Sequence, residues 1–103
     1  MITLTEAAAK QILKSAKKTE ADEMYLRIAA KNEDDGTIEY GMGFDDIGEE
    51  DMLVKSSGIR VIIAPPAQLL LKDTVIDYVE LEPDQFHFIF KNPNDPRHKQ
   101  ANS

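Results

Sequence analysis

The 103-residue sequence contains no cysteine. Without thiols the chain can form no disulfide, no thiolate-ligated metal site of its own and no cysteine nucleophile. It also lacks any apolar run near the roughly 20 residues that a membrane-spanning helix needs, and its first residues show no signal-peptide pattern. The sequence therefore excludes thiol chemistry within the chain and predicts no membrane association.

Basic residues are few relative to acidic ones. Twelve lysines and arginines stand against nineteen aspartates and glutamates, which gives a net charge of -7. A surface of this sign repels nucleic-acid phosphates and anionic lipids. We therefore expect a cytoplasmic protein that binds neither nucleic acid nor membranes and whose partner is another protein. Hydrophobic residues make up 42% of the chain, which is enough for one small folded domain.

The N-terminal segment predicts an amphipathic helix that begins near residue 4. Thr3 and Glu6 have the spacing of a capping box, and Thr5 is an alternative N-cap. The apolar residues that follow share one helical face: Ala8, Ala9, Ile12, Leu13 and Ala16. The lysines lie largely on the other faces, as expected for a helix with one side in solvent.

The remainder of the chain predicts strands. Alternating apolar residues indicate two strands joined by a turn that ends in Asp35-Gly36, a dipeptide typical of hairpins. Pro65-Pro66 favours the start of a short crossover helix. Phe86, Phe88 and Phe90 share one face of the last strand and are expected in the core. The predicted strands cover residues 24–30, 37–44, 52–55, 59–64, 75–81 and 85–91.

The segment from Tyr40 to Asp46 combines the alternation of a strand with two glycines on one face. Gly41 and Gly43 leave that face shallow. Because glycine weakens a strand, two of them indicate a β-bulge or the close approach of another backbone.

Three segments in this order resemble the A-type iron-sulfur assembly proteins, the HesB/IscA-like family: Tyr40 to Asp46, Asp77 to Glu80, and Phe88 to Asn94. The resemblance covers roughly Ile2 to Asn94. It implies a β-rich α+β fold, a compact mixed β-sheet or sandwich domain with an N-terminal helix and a short crossover helix. We therefore expect one domain over residues 1–94, followed by a polar and flexible tail over residues 95–103.

The same resemblance implies three cysteine ligands for iron or a cluster, and none is present here. The first family position falls on Asp35, and the two tail positions fall on Lys99 and Ala101. A carboxylate could retain a hard metal, whereas lysine and alanine cannot complete a soft thiolate site. The sequence thus predicts no cofactor and no metal site, with Asp34, Asp35 and His98 as the remaining candidate ligands.

The sequence contains no nucleophile with a base, no phosphate-binding glycine loop and no paired-carboxylate motif, so we expect no enzyme. One hypothesis is a cluster-free accessory or protein-interaction module, a monomer or weak homo-oligomer, whose partner surface includes Glu33, Asp35, Gly41 and Gly43. The alternative is iron or iron-sulfur handling with non-cysteine or partner-supplied ligands, for which the acidic loops 33–35 and 45–51 offer oxygen atoms. A small-molecule pocket beside the phenylalanine face is a third hypothesis.

Overall fold

The computed structural model describes residues 2–20 and 23–95. In this part of the chain seven strands accompany two helices. Their bounds are β1 (Thr3–Leu4), α1 (Glu6–Lys18), β2 (Tyr25–Asn32), β3 (Ile38–Asp45), β4 (Met52–Ser56), β5 (Ile59–Ile63), α2 (Pro65–Gln68), β6 (Val75–Glu82) and β7 (Gln85–Lys91).

The strands form two sheets. One has the order β1-β6-β7 and the other the order β3-β2-β5-β4. The pairs β1–β6 and β2–β5 are parallel and the other pairs are antiparallel. This arrangement confirms the predicted mixed-sheet α+β fold with an N-terminal helix and a short crossover helix. The apolar run that starts at Ile59 is a central strand, as its composition predicts.

The core draws on both sheets and on α1. Ile28 in β2, Val61 in β5 and Ile76 in β6 are fully buried, and α1 contributes Ala8 and Ile12. Burying a large aliphatic side chain of this kind stabilises the fold by about 1.5–3 kcal/mol. The apolar faces of the elements therefore supply the main stabilisation of the domain.

The N-cap of α1 is Thr5, the alternative that the sequence offered. Its Oγ1 accepts a hydrogen bond from Ala8 N at 3.2 Å and donates one to Asp77 Oδ1 at 2.6 Å. The capping box on Thr3 is wrong, because the Thr3 backbone belongs to β1 and its N–H donates to Thr74 O at 2.9 Å. One hydroxyl thus starts the helix and attaches it to β6.

Two residues expected in the core are exposed. Leu13 is 48% exposed, because it lies at the border of the helical face that Ala9, Ile12 and Ala16 bury. Phe86 is 50% exposed, because it lies at the hairpin end of β7, beyond the core. Phe88 and Phe90 are half-buried and pack against the core, as expected.

The expected β-bulge at the glycines is also wrong. Strands β2 and β3 pair without interruption from Tyr25 with Asp45 to Asn32 with Ile38. A register shift lies instead in the other sheet, between Glu80 and Glu82 of β6. The chain reverses direction between β2 and β3 in the loop of residues 33–37.

The buried hydroxyl of Thr74 predicts a stability effect. Thr74 is fully buried and its Oγ1 has no hydrogen-bond partner among the described residues. Thr74→Val keeps the shape of the side chain and removes this unsatisfied hydroxyl. We therefore expect the free energy of unfolding to rise by about 1 kcal/mol. Thr5→Val is the matched control. It removes a hydroxyl with two partners and should destabilise by about 1 kcal/mol. Urea unfolding measures both, and destabilisation by Thr74→Val would contradict the assignment.

Candidate functional site

Strand β3 is an edge strand, and its two faces have different surroundings. Met42 and Phe44 turn inward and pack against the core. Gly41 and Gly43 lie on the outer side and are exposed, with Gly41 opposite Ala29 of β2. A Cβ atom at Gly41 would make only an ordinary contact, 3.8 Å from the Ala29 Cβ. This shallow outer surface of Ala29, Gly41 and Gly43 is the glycine face.

The turn before β3 contains the other residues expected at a partner surface. Glu33, Asp34 and Asp35 are all exposed. The Asp35 Oδ1 accepts hydrogen bonds from Thr37 N at 3.0 Å and from Thr37 Oγ1 at 2.6 Å. Gly36 adopts a φ of +86°, which favours glycine, so the Asp-Gly turn forms as expected. The Asp35 carboxylate therefore organises a hairpin turn.

Acidic side chains from the two ends of this turn meet. The neighbouring Glu39 carboxyl, through hydrogen bonding and then through its charge, raises the pKa of Glu33. Lys31 Nζ lies 4.0 Å from Glu39 Oε2, and both side chains are largely exposed. An exposed pair of this length contributes little to stability. The turn is thus an acidic, solvent-facing border of the glycine face.

A buried polar network lies on the inner side of β3. The Tyr40 hydroxyl donates to Asp95 Oδ2 at 2.8 Å and accepts from Asn92 Nδ2 at 3.2 Å. The Tyr40 ring stacks on Phe90 with 4.3 Å between ring centroids. Asn92 is fully buried and Asp95 is 4% exposed. The network ties the end of β7 to strand β3 of the other sheet.

The sequence analysis missed this network, although Asn92 lies inside a segment that carries the family resemblance. Asn92 Nδ2 also donates to Leu70 O at 2.7 Å, and Asn94 Nδ2 donates to Lys72 O at 2.8 Å. The segment through Asp95 therefore packs against the residues after α2 and against β3. Of the residues expected to ligate or to replace ligands, His98, Lys99 and Ala101 lie outside the described residues.

The acidic loop 45–51 is held by one arginine. Arg27 donates to both carboxylate oxygens of Asp51, at 2.8 and 2.7 Å, and to Asp45 Oδ2 at 2.6 Å. The Asp51 side chain is only 6% exposed and also accepts from Gly48 N at 2.6 Å. Hydrogen bonds from Arg27 and from Gly48 N lower the pKa of Asp51 to about 2, and Arg27 with Asp46 N lowers that of Asp45.

Three of the residues expected to offer oxygen ligands are hydrogen-bonded within the protein. The Asp45 and Asp51 carboxylates converge on a guanidinium, and Asp35 on Thr37. Nowhere in residues 2–20 and 23–95 do three or more His, Asp or Glu side chains form a group that could hold a metal ion. With lysine and alanine at the two tail positions, the residues present do not fit an iron-sulfur cluster.

The adjacent residues Ser56 and Ser57 have a structural role. Leu4 N donates to Ser56 Oγ at 2.9 Å, and Ser57 Oγ donates to Leu4 O at 2.8 Å. They attach the β4–β5 turn to β1.

Within the described part of the chain, no helix combines the length and apolar character needed to cross a membrane.

The Arg27 contacts predict how the pKa of Asp51 changes when Arg27 is replaced. In Arg27→Gln the pKa of Asp51 should rise from about 2 toward its unfolded value of about 3.9, because the charged donor is lost. Since the folded pKa is depressed, Asp51 stabilises the native state above about pH 4, and this contribution disappears as pH falls toward 2. Carboxyl-carbon NMR titration measures the shift. An unchanged Asp51 pKa in the variant would contradict the role of Arg27.

The Tyr40 network predicts a second effect. Tyr40→Phe keeps the ring stacked on Phe90 but removes the hydroxyl between Asn92 and Asp95. We expect destabilisation of about 1–3 kcal/mol, because buried polar groups then lose a partner. Tyr78→Phe is the matched control, since the Tyr78 hydroxyl has no hydrogen bond within the described residues. Equal denaturation midpoints for the two variants would sink the assignment.

Sequence comparison relates this chain to known proteins. The model of the family "Iron-sulphur cluster biosynthesis" matches residues 1–98. The protein SufA of Bacillus subtilis is 35% identical over 78 residues, covering 75% of this chain, which spans 65% of that relative. The iron-sulfur cluster insertion protein ErpA of Histophilus somni is 30% identical over 95 residues, covering 90% of this chain and 82% of the relative.

Solved structures show the same fold. The crystal structure of Escherichia coli SufA has a TM-score of 0.73 and 25% identity, with 90% of this chain and 86% of that one covered. The crystal structure of IscA with a [2Fe-2S] cluster has a TM-score of 0.69 and 30% identity, covering 90% of this chain and 83% of that one. With a family model matched over nearly its whole length, the chain belongs to the iron-sulphur cluster biosynthesis family.

Proposed function

We propose that this protein is a non-catalytic accessory of iron-sulfur cluster biogenesis that acts by binding another protein and does not itself hold a cluster. The observation that carries the proposal is a retained family fold without a single thiol. Relatives named for cluster insertion and cluster assembly support a role in the same process. The proposed place of action is the cytoplasm.

The state of Asp35 supports the loss of cluster binding. It stands at the first ligand position implied by the family, and its carboxylate is bonded within its own turn through Thr37. A carboxylate is a hard oxygen ligand, whereas iron-sulfur clusters are held mainly by soft thiolates. Asp35 therefore has a structural reason to be present that does not involve iron.

The Tyr40 network supports the retention of a scaffold. Its members Tyr40, Asn92 and Asp95 contain no metal ligand typical of a cluster, and they fix the end of β7 against β3. These contacts hold the two strands together without a cysteine.

The proposed partner surface is the glycine face with the turn at Glu33 and Asp35. Gly41 and Gly43 leave the outer side of an edge strand bare, so another backbone can approach closely. The acidic turn beside it favours a basic or mixed partner surface through charge complementarity. We expect Gly41→Val to weaken partner binding at this surface, because the added methyl groups project from the glycine face.

Anaerobic reconstitution tests the proposal. Purified protein is incubated with ferrous iron and sulfide and desalted, and iron per chain is read together with the visible absorption spectrum. We expect no retained iron and no charge-transfer bands, because the chain offers no thiolate. Stoichiometric iron that survives desalting in the wild type and disappears in Asp35→Ala would overturn the proposal in favour of iron handling through oxygen ligands.

A gain-of-function variant serves as the matched control. The triple substitution Asp35→Cys, Lys99→Cys and Ala101→Cys restores a thiol at each ligand position that the family implies. We expect this variant to retain iron and to develop sulfide-dependent absorption under the conditions in which the wild type does not. The control excludes a failed reconstitution as the reason for the wild-type result.

A further inference from the structure

An apolar groove runs along α1. Helix α1 forms one wall, and the starts of β2 and β5 with the end of β3 form the other. Two adjoining depressions of about 100 and 160 Å³ share Ile12, Leu26 and Phe44 in their walls. We call this surface the α1 groove.

The groove includes two of the large apolar side chains that the fold leaves exposed. Leu13 is 48% exposed and Met24 is 37% exposed, and both line the first depression. Phe88 and Met42, half-buried, line the second. These adjoining side chains keep apolar area in water, and covering that area with apolar groups of a partner would be favourable.

The charge of the groove is opposite to that of the protein. Lys17 and Arg60 line it, and no described aspartate or glutamate does. The Arg60 guanidinium lies 4.4 Å from the centroid of the Tyr25 ring and 3.4 Å from Glu23 O, and it forms no ion pair with a described carboxylate. In a chain of net charge -7, this is a local positive rim around apolar walls.

We propose that the α1 groove docks a short acidic, amphipathic helical segment of a partner protein. Its large apolar side chains would enter the two depressions, and its carboxylates would face Lys17 and Arg60. Each depression is smaller than the roughly 300–1,000 Å³ of a small-molecule site, so it suits single side chains. Spaced apolar anchors in a groove are the usual recognition mode for a helix.

The groove extends the proposed function to a second surface. The groove proposal rests on the proposed function only because it takes a protein as the ligand. It involves neither Asp35 nor iron. The two surfaces meet at Gly43, which lines the second depression and also belongs to the glycine face. Leu13, Lys17 and Arg60 line the groove and are not part of the glycine face. Failure of one proposal is therefore distinguishable from failure of the other, because iron retention and peptide binding are measured separately.

Fluorescence anisotropy with a designed peptide tests the groove. The probe is a fluorescein-labelled helical peptide with leucines at i, i+3, i+4 and i+7 and glutamates at most other positions. The control peptide has the same leucines and replaces each glutamate by lysine. We expect saturable binding of the acidic peptide that weakens as salt rises, and at least tenfold weaker binding of the basic one. No binding of the acidic peptide, or equal binding of both, overturns the proposal.

Protein variants locate the binding. Lys17→Glu combined with Arg60→Glu should weaken the acidic peptide at least tenfold, whereas Lys72→Glu, an exposed cation outside the groove, should not. Leu13→Ser should weaken it as well, and Leu53→Ser, 52% exposed on β4, should leave it unchanged. Circular dichroism confirms that each variant is folded. Equal effects of groove and control substitutions would overturn the proposal.

Discussion

The arrangement of the two sheets depends on the side-chain amide of Asn92. It is fully buried, and its Nδ2 donates to Leu70 O and to the Tyr40 hydroxyl while its Oδ1 accepts from Asn94 N and Nδ2. A buried amide without these partners would be costly, so the end of β7, the residues after α2 and strand β3 are held together. No thiol takes part in these contacts, because the chain contains none.

Strand β3 contributes to both surfaces that we propose for partners. Its outward residues are small and leave a bare sheet surface beside an acidic turn, while its inward Met42 and Phe44 reach the cationic α1 groove. The surfaces therefore favour partners of opposite charge. In the accessory role that we propose, each surface would bind a protein of its own.

Much of the fold could be predicted because period-2 alternation is a local property. The strand 85–91 has the predicted bounds, and the hairpin turn at Asp35-Gly36 forms through a side chain two residues from its partner. The errors arose where tertiary contacts override a local rule. Thr3 has the spacing of a cap but pairs with β6, and Phe86 keeps the strand period but extends past the core.

The sequence by itself determined that this chain has no thiolate ligand, because composition fixes which atoms are available to a metal. It also determined the order of helix and strands and the resemblance to the family. Only the tertiary structure decided what the acidic residues do. Asp51 binds Arg27 across 24 residues and Asp95 binds Tyr40 across 55, and these partners meet only when the sheets assemble. Local patterns contain no information about such distant pairs, so the sequence could not show these contacts of Asp51 and Asp95.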